Sequence, residues 1–366
     1  MTTRSWTSER IREEFLGYFE GHGHLRVASS SLIPVGDPTL LLTTAGMVQF
    51  KPYFAGDTTP PSLRLTSSQK SFRTPDIDIV GDATHNTMFE MLGNFSIGDY
   101  FKEEAIAFAL EFLTHNMGLP KDRLYATIYL DDDEARELWI QAGVPDERIF
   151  RFGDQDNWWG PAGLEGPCGP CSEIHYDFGQ GLGCGQPNCG PSCENAMNER
   201  GDACDRFVGL WNLVFMQFER DASGELTPLP AASVDTGLGL ERVAAVLQGA
   251  DSNYHTDLFT PMLDRVAHIV GRDYDPDSEE GVSYRVLADH ARAVAFLLAD
   301  GVFPSNEGRG YVLRRILRRG VRHAWLLGRR EPTLAGVVEA VIDSMGDVFS
   351  DLVHRREHVL QTTTAE

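Results

Sequence analysis

The segment from residue 233 to residue 242 combines a carboxylate, two glycines and an arginine at spacings that could bind a small zwitterion beside a phosphate. It reads Ser-Val-Asp-Thr-Gly-Leu-Gly-Leu-Glu-Arg. Alternate residues of a β-strand share a face, so Asp235, Gly237 and Gly239 would lie together, opposite the apolar residues between them. Two glycines on one strand face leave bare backbone on which a bound group can lie. The sequence therefore predicts a binding floor with one carboxylate that could hold a cation.

Arg242 follows this strand in the first turn of a predicted helix that continues to Gln248. The positive end of the helix dipole disfavours a cation there. A bound phosphate would remove that conflict. A buried strand followed by an amphipathic helix with a surface arginine explains the same local pattern, so the segment alone leaves both interpretations open.

A second candidate phosphate contact lies on a predicted hairpin with strands at residues 68–73 and 87–92 and a loop at residues 74–82. Arg73 at the loop entrance is suited to bidentate phosphate binding, and Phe89 on the returning strand could stack on a base. A surface arginine beside a core phenylalanine would fit the hairpin equally well if it stood alone.

The elements that position these side chains belong to a chain of 366 residues, 42% of them apolar, which is enough for a substantial core. No apolar run approaches the roughly 18 residues that a membrane span requires, and the first residues lack the apolar stretch of a signal peptide. We therefore expect a globular, cytoplasmic protein without membrane contact.

Charge is distributed unevenly along the chain. The formal net charge is −22, yet residues 285–330 contain ten arginines and three acidic residues, a local balance of +7. A solvated face balanced by acids elsewhere would explain this block, but clustered arginines repel one another unless a polyanion lies near. The candidate polyanion contacts, several at helical spacing, are Arg309, Arg314, Arg315, Arg318 and Arg322.

Six cysteines lie between residues 168 and 204, too localised for a secreted disulfide framework. Four of them fall in a Gly- and Pro-rich insertion, residues 178–206, with too few apolar residues to fold alone. Four thiolates would complete a tetrahedral structural zinc site. The predicted ligands are Cys184, Cys189, Cys193 and Cys204. Reduced free thiols, or a mixed set that recruits Cys168 or Cys171, are the alternatives.

Arg73 belongs to a longer pattern with residues 85–101, His-Asn-Thr-Met-Phe-Glu-Met-Leu-Gly-Asn-Phe-Ser-Ile-Gly-Asp-Tyr-Phe. Together with residues 211–218, Trp-Asn-Leu-Val-Phe-Met-Gln-Phe, and the segment 233–242, this pattern resembles the class II aminoacyl-tRNA synthetases, specifically the alanyl-tRNA synthetase family. The stretch with Arg73 resembles motif 2 of that class and the segment 233–242 resembles motif 3. The resemblance covers essentially all 366 residues. One departure is the loop after Arg73, which is short and lacks the lysine of many bacterial members.

This resemblance implies an α+β fold, in which a six- or seven-stranded antiparallel sheet flanked by helices is followed by an all-helical domain. It implies a catalytic domain over residues 1–255, which includes the Cys-rich insertion, and an incomplete acceptor-stem recognition domain over residues 256–366. The editing and oligomerising domains of the family lie downstream and are absent from this sequence. We therefore expect a catalytic fragment or a natural short form, and a monomeric fragment.

The resemblance also implies activation of L-alanine by ATP to alanyl-AMP and pyrophosphate, with Mg²⁺ bridging the phosphates, and transfer of alanine to the 3′ end of tRNA(Ala). Arg73 would contact the α-phosphate and the alanine carboxylate, Arg242 the γ-phosphate, and Asp235 the α-ammonium group. For ATP, Phe89 would stack on adenine, with the Met88 backbone, Glu90 and Gly239 nearby. The further residues implied for alanine are Trp159, Asn212, Val214 and Gly237.

Two short runs take their interpretation from the family. The Pro-Ser-Asn run that ends at Asn306 matches an asparagine that helps to read a G·U wobble pair in the acceptor stem, and an amide can both donate and accept hydrogen bonds. The Gly-Pro-Cys-Gly-Pro-Cys run of residues 166–171 borders the active site in the family and is interpreted as a tight structural turn.

Two other functions fit parts of the sequence. A paralogue could activate a small amino acid for a carrier other than tRNA, but the arginine-rich block argues against this. An RNA-binding regulator could have kept the fold and lost the chemistry, but the presence of Arg73, Asp235 and Arg242 argues against that.

Overall fold

The computed structural model describes residues 5–37, 39–186, 189–191, 204 and 206–366. The strands are β1 (Leu25–Arg26), β2 (Arg64–Phe72), β3 (Met88–Ser96), β4 (Leu124–Tyr129), β5 (Ile149–Phe152), β6 (Trp158–Trp159), β7 (Gly166–Asp177), β8 (Phe207–Arg220) and β9 (Leu226–Gly239). The α-helices are α1 (Ser8–Gly21), α2 (Lys51–Phe54), α3 (Lys102–Glu111), α4 (Asp133–Gln141), α5 (Asp154–Asn157), α6 (Leu240–Gln248), α7 (Thr260–Val270), α8 (Glu279–Ala299), α9 (Gly308–Leu326), α10 (Leu334–Met345), α11 (Ser350–His354) and α12 (Arg356–Ala365).

One sheet has the strand order β1-β2-β3-β9-β8-β7-β4-β5, and β6 pairs with β7. The strands from β2 to β4 in this order pair antiparallel, whereas β1 joins β2 and β5 joins β4 in parallel. Over the part of the chain that the structure describes, the sheet is therefore mixed and nine-stranded. The prediction of six or seven antiparallel strands is right for the centre and wrong at the edges. Helix α4 connects β4 to β5, and such a crossover is what parallel pairing requires.

The local elements predicted for the hairpin and for the segment 233–242 are confirmed. Helix α1 begins after Thr7, whose side chain caps it by accepting from the backbone N–H of Arg10. Strands β2 and β3 form the predicted hairpin, in continuous register from the Arg64–Ser96 pair to the Phe72–Met88 pair. Strand β9 leads directly into α6, as the segment 233–242 predicts.

The prediction of a tight turn at residues 166–171 is wrong. These residues form the start of β7, which pairs with β8 across a register shift between Cys168 and Cys171. Proline cannot donate a ladder hydrogen bond, and a bulge accommodates it without ending the strand. A Cβ at Gly169 would lie 2.1 Å from the Phe215 carbonyl oxygen, so only glycine permits this approach of β8.

Helices α7 to α12 follow the sheet, which confirms an α+β fold with a helical C-terminal region. Helix α8 is buried along most of its 21 residues. One apolar core contains Phe15 of α1, Leu92 of β3, Leu287 of α8 and Val338 of α10. The sheet and the helices that follow it are thus packed together, and a domain boundary at residue 255 stays a prediction. No helix of the described residues is both long and apolar enough to cross a bilayer.

Candidate active site

A cavity of about 430 Å³ lies over the sheet where β3, β9 and β8 are neighbours. Nine residues that the sequence analysis singled out line it: Arg73, Phe89, Trp159, Asn212, Val214, Asp235, Gly237, Gly239 and Arg242. They come from segments far apart in the sequence, and sheet pairing brings them together.

The floor of the cavity is β9. Asp235, Gly237 and Gly239 line the cavity, whereas Val234 and Leu238 belong to the apolar core behind it. This is the alternation expected of a strand with one face buried. A Cβ at Gly237 would lie 2.8 Å from the sulfur of Met91, so a side chain there would displace Met91.

Asp235 is a buried carboxylate without a compensating partner. Its residue is 4% exposed, and its Oδ1 has no hydrogen-bond partner among the described residues. Burial raises its pKa to about 7, because an apolar environment disfavours the ionised form. A bound cation would compensate for the lost hydration and stabilise the ionised carboxylate. Asp235 is therefore a candidate cation-binding residue.

Arg73 and Phe89 face each other across the hairpin. The guanidinium carbon of Arg73 lies 5.1 Å from the centroid of the Phe89 ring, within cation–π distance. A base could therefore stack only on the opposite face of this ring. Burial lowers the pKa of Arg73, Asp76 opposes this, and Arg242 adds to the lowering.

Arg242 lies in the first turn of α6, as predicted, and its Nη1 donates to the Gly209 carbonyl oxygen at 2.8 Å. The two guanidinium groups repel each other, since Arg242 destabilises the charged form of Arg73. An anion between them would relieve this repulsion. The cavity thus has an anion-binding part with two arginines and a cation-binding part with one carboxylate.

The side chains of Met88 and Glu90 do not line the cavity. Met88 is fully buried in the apolar core. Glu90 is also fully buried, and its carboxylate accepts from Nε and Nη2 of Arg12 at 2.7 and 2.8 Å. Both residues alternate with Phe89 along β3, so only their backbone could contact a ligand in the cavity.

Several acidic residues of the cavity were missed by the sequence analysis: Asp76, Asp156, Glu173 and Glu241. Burial would raise the pKa of Glu173, but His175, Arg242 and Arg73 hold it below its usual range. An ionised carboxylate beside two arginines could contact a metal ion bound to phosphates. No spacing pattern marks Glu173, because its neighbours His175 and Arg242 become informative only in three dimensions.

A separate cysteine cluster lies in the insertion. The sulfur atoms of Cys184, Cys189 and Cys204 all lie within 4.8 Å of one another. Cys189 and Cys204 have their sulfurs 3.5 Å apart, well beyond a disulfide bond of about 2.0 Å and close to the roughly 3.8 Å between two ligands of a tetrahedral zinc ion. Cys193, the fourth predicted ligand, lies outside the described residues.

The two remaining cysteines lie apart from this cluster. Cys168 and Cys171 are buried in β7 and are not among the three clustered residues. Burial raises their pKa to about 11 and about 12, respectively, so both are neutral thiols. The described residues therefore favour the insertion cysteines over a mixed set.

The arginine-rich helix α9 lies outside the cavity, and acids from distant segments partly neutralise it. Arg314 donates to Oε1 of Glu366 at 2.6 Å and to Oδ1 of Asn306 at 2.7 Å. Arg315 pairs with Asp78 at 2.6 Å. Acids that lie far from α9 in the sequence therefore balance part of this block, as in the alternative of a solvated face.

The other predicted polyanion contacts differ in exposure. Arg309 donates to the Leu41 carbonyl oxygen, which ties the start of α9 to the segment before β2. Arg318 and Arg322 are exposed. The exposed part of the basic face is thus smaller than the sequence predicts.

The sequence of this chain is similar to those of known tRNA synthetases. The family model described as tRNA synthetases class II (A) matches residues 10–366. The alanine–tRNA ligases of Dehalococcoides mccartyi and Carboxydothermus hydrogenoformans are each 53% identical over 361 residues, which make up 99% and 98% of this chain and 40% of each relative. A solved structure of apo histidyl-tRNA synthetase from S. aureus aligns with a TM-score of 0.36 and 12% identity over 68% of this chain and 71% of that chain.

The chain spans about 40% of the length of the curated relatives that it matches. The family model, in contrast, extends over the sheet, the cavity and the helices that follow. This chain therefore belongs to the class II (A) family of tRNA synthetases.

Proposed function

We propose that this chain activates L-alanine with ATP to alanyl-AMP and pyrophosphate and transfers the alanine to the 3′ end of tRNA(Ala). The main support is the convergence of Arg73, Arg242 and the unpaired Asp235 on one cavity. The second support is that relatives at 53% identity are alanine–tRNA ligases.

Activation requires in-line attack of the alanine carboxylate on the α-phosphate, with pyrophosphate as the leaving group. Orientation and charge stabilisation do most of this work, so no proton-transferring base is needed. Arg73 would contact the α-phosphate and the alanine carboxylate, and Arg242 would hold the γ-phosphate of a bent ATP. The adenine would stack on the face of Phe89 opposite Arg73.

Alanine would bind between Asp235 and the neighbouring strand β8. Val214 lies opposite Asp235 in the register and Asn212 lies opposite Gly237, so both can contact a substrate on the floor. Trp159 would close the pocket around the methyl group. Such a pocket excludes larger side chains by steric clash but discriminates weakly against glycine and serine.

Two metals fit the residues present. Mg²⁺ would neutralise charge on the phosphates, and Glu173 is an ionised carboxylate with the donor chemistry for it. Zinc would stabilise the insertion through Cys184, Cys189 and Cys204, with Cys193 as the fourth ligand. Its role would be structural, since the cluster lies apart from the cavity lining.

The tRNA acceptor stem would contact the exposed arginines of α9 and the amide of Asn306. Arg314 fixes the orientation of this amide by donating to its Oδ1. The candidate contacts remain Asn306, Arg309, Arg314, Arg315, Arg318 and Arg322.

Replacing Arg242 tests activation. We expect Arg242→Ala to lower alanine-dependent ATP–pyrophosphate exchange at least about 100-fold, since it removes a charge contact to the transferred nucleotide. Arg136→Ala is the matched control, because it removes an exposed arginine paired with Asp146 on the surface. Normal exchange in Arg242→Ala, with unchanged thermal unfolding, would exclude the phosphate role.

Asp235→Asn should separate stability from activity. Because the pKa of Asp235 is raised to about 7 in the folded state, the carboxylate destabilises the fold as pH rises from about 4 to 7, and this cost is complete above pH 7. The asparagine variant should therefore be more stable by about 2–4 kcal/mol at pH 8 and nearly equal to the parent below pH 4. Urea unfolding at several pH values measures this difference. If the difference in unfolding free energy between variant and parent did not change with pH, the raised pKa of Asp235 would be contradicted.

The same variant should lose alanine binding, since a neutral amide does not neutralise an ammonium group. We expect its Michaelis constant for alanine to rise at least about tenfold, whereas that for ATP should change little. Equal effects on both substrates would argue against a specific ammonium contact.

Asn306→Ala tests recognition of the acceptor stem. We expect this variant to retain ATP–pyrophosphate exchange, because Asn306 lies outside the cavity, and to lose preference for a minihelix with a G·U pair over one with G·C. Charging of both minihelices measures this preference. Unchanged preference would remove Asn306 from recognition, and exchange without any charging by the parent protein would favour a carrier other than tRNA.

Cys204→Ser tests the metal. We expect the purified variant to lose its zinc, measured by elemental analysis, because one of the clustered thiolates is removed. Cys168→Ala is the control, since Cys168 lies in β7 outside the cluster, and it should retain zinc. Loss of zinc in the control would instead support a mixed ligand set.

A further inference from the structure

We propose that His290 is a positioning residue for Arg73, and that it acts through Asp289 and Thr87 in a buried relay between helices α8 and α9 and the hairpin. The proposal rests on the proposed function for the role of Arg73. It adds Asp289 and His290, which lie outside the cavity and which no motif of the sequence singled out.

One end of the relay is the backbone at Arg73. The backbone N–H of Arg73 donates to the Thr87 carbonyl oxygen at 3.0 Å. Thr87 is itself held by Asp289, whose two carboxylate oxygens accept from the backbone N–H of Thr87 at 2.8 Å and from its hydroxyl at 2.5 Å. Both Thr87 and Asp289 are fully buried. Asp289 of α8 therefore holds Thr87, the residue whose carbonyl oxygen accepts from the backbone N–H of Arg73.

The other end of the relay is Arg319 on α9. Nδ1 of His290 donates to Oδ2 of Asp289 at 2.8 Å, and Nε2 of His290 accepts from Nη1 of Arg319 at 2.9 Å. This assigns a neutral imidazole with its proton on Nδ1, since an imidazolium could not accept from a guanidinium. Burial, and Arg319 in addition, lower the pKa of His290, while Asp289 opposes them.

The same two helices also hold the loop that follows Arg73. Nη2 of Arg319 donates to the Val80 carbonyl oxygen at 2.9 Å, and Nε of Arg285 donates to the Gly81 carbonyl oxygen at 2.6 Å. A Cβ at Gly81 would lie 2.8 Å from Val282, so the loop lies directly against α8. Helices α8 and α9 thus hold both backbone segments that flank the cavity at Arg73.

His290 matters because it supplies a donor and an acceptor at once. An apolar ring in its place would leave Asp289 with one donor fewer and would leave the buried face of Arg319 without its acceptor. Asp289 would then hold Thr87 less firmly, and Arg319 would hold the loop after Arg73 less firmly. A displacement of about 1 Å in a phosphate-binding group can cost about 100-fold in rate.

The experiment compares His290→Phe, which keeps a planar ring but removes both hydrogen bonds, with His290→Gln, which retains a donor and an acceptor. Hydrogen exchange of the full chain is measured at the Arg73 amide and across residues 74–81. We expect at least about tenfold faster exchange in His290→Phe and recovery in His290→Gln, with α3 as an internal reference. Unchanged exchange at these amides would overturn the proposal.

A double-mutant cycle with alanine-dependent ATP–pyrophosphate exchange then tests whether the effect passes through Arg73. We expect His290→Phe to lower kcat about 100-fold in the parent and less than about twofold in an Arg73→Ala background. Equal losses in both backgrounds would show a general structural role and overturn the proposal. If His290→Phe does not fold, Thr87→Val, which removes only the hydroxyl contact to Asp289, takes its place.

Different results would refute the proposed function and the relay. A parent protein without alanine-dependent exchange would refute activation of alanine, whereas the hydrogen-exchange comparison would still decide whether His290 supports the Arg73 backbone. Unaltered hydrogen exchange in a parent that activates alanine would refute the relay alone.

Discussion

The register of β9 against its two neighbours determines which residues face the cavity. Asp235 lies opposite Phe95 of β3 and Val214 of β8, and Gly237 lies opposite Asn212. A slip of one residue would turn Asp235 into the apolar core and place Val234 in the cavity. Burial of Val234 and Leu238 on the other face opposes such a slip. The core therefore specifies the position of the carboxylate.

Two buried ion pairs support this arrangement. Glu90 of β3 pairs with Arg12 of α1, and Glu241 of α6 pairs with Arg292 of α8. The backbone N–H of Glu90 donates to Oε1 of Glu241 at 3.1 Å, which joins the two pairs. Removing one partner of a buried pair leaves an uncompensated charge and typically costs about 3–5 kcal/mol. The strand that carries Phe89 and the helix that carries Arg242 are thus held by linked, buried ion pairs, of which Glu241 also lines the cavity.

The sequence was informative where local periodicity and residue type carry the signal. The alternation around Asp235, the hairpin with Arg73 and Phe89, and the position of Arg242 in a first helical turn all follow from neighbours within a few residues. Local patterns could not identify partners that meet only after folding. The pairing of Arg315 with Asp78, the ionised state of Glu173 and the parallel edges of the sheet depend on contacts between distant segments. The strand at residues 166–171 was missed because the run was interpreted from the family as a turn, which its Gly and Pro content also favours.

The longest strands of the sheet lie in its interior and the shortest at its edges, which affects how the sheet can associate with other chains. Strands β8 and β9, of 14 residues each, lie in the interior of the sheet, whereas the two edges are β1, of two residues, and β5, of four. A long unpaired edge presents a row of free backbone groups to which another chain can add. The apolar strand β8 pairs with β7 on one side and with β9 on the other, whereas, among the described strands, residues 226–233 of β9 pair only with β8. The arrangement that centres the cavity therefore also covers β8, and in the first part of β9 Pro228 and Pro230 lack the N–H that an added strand would need.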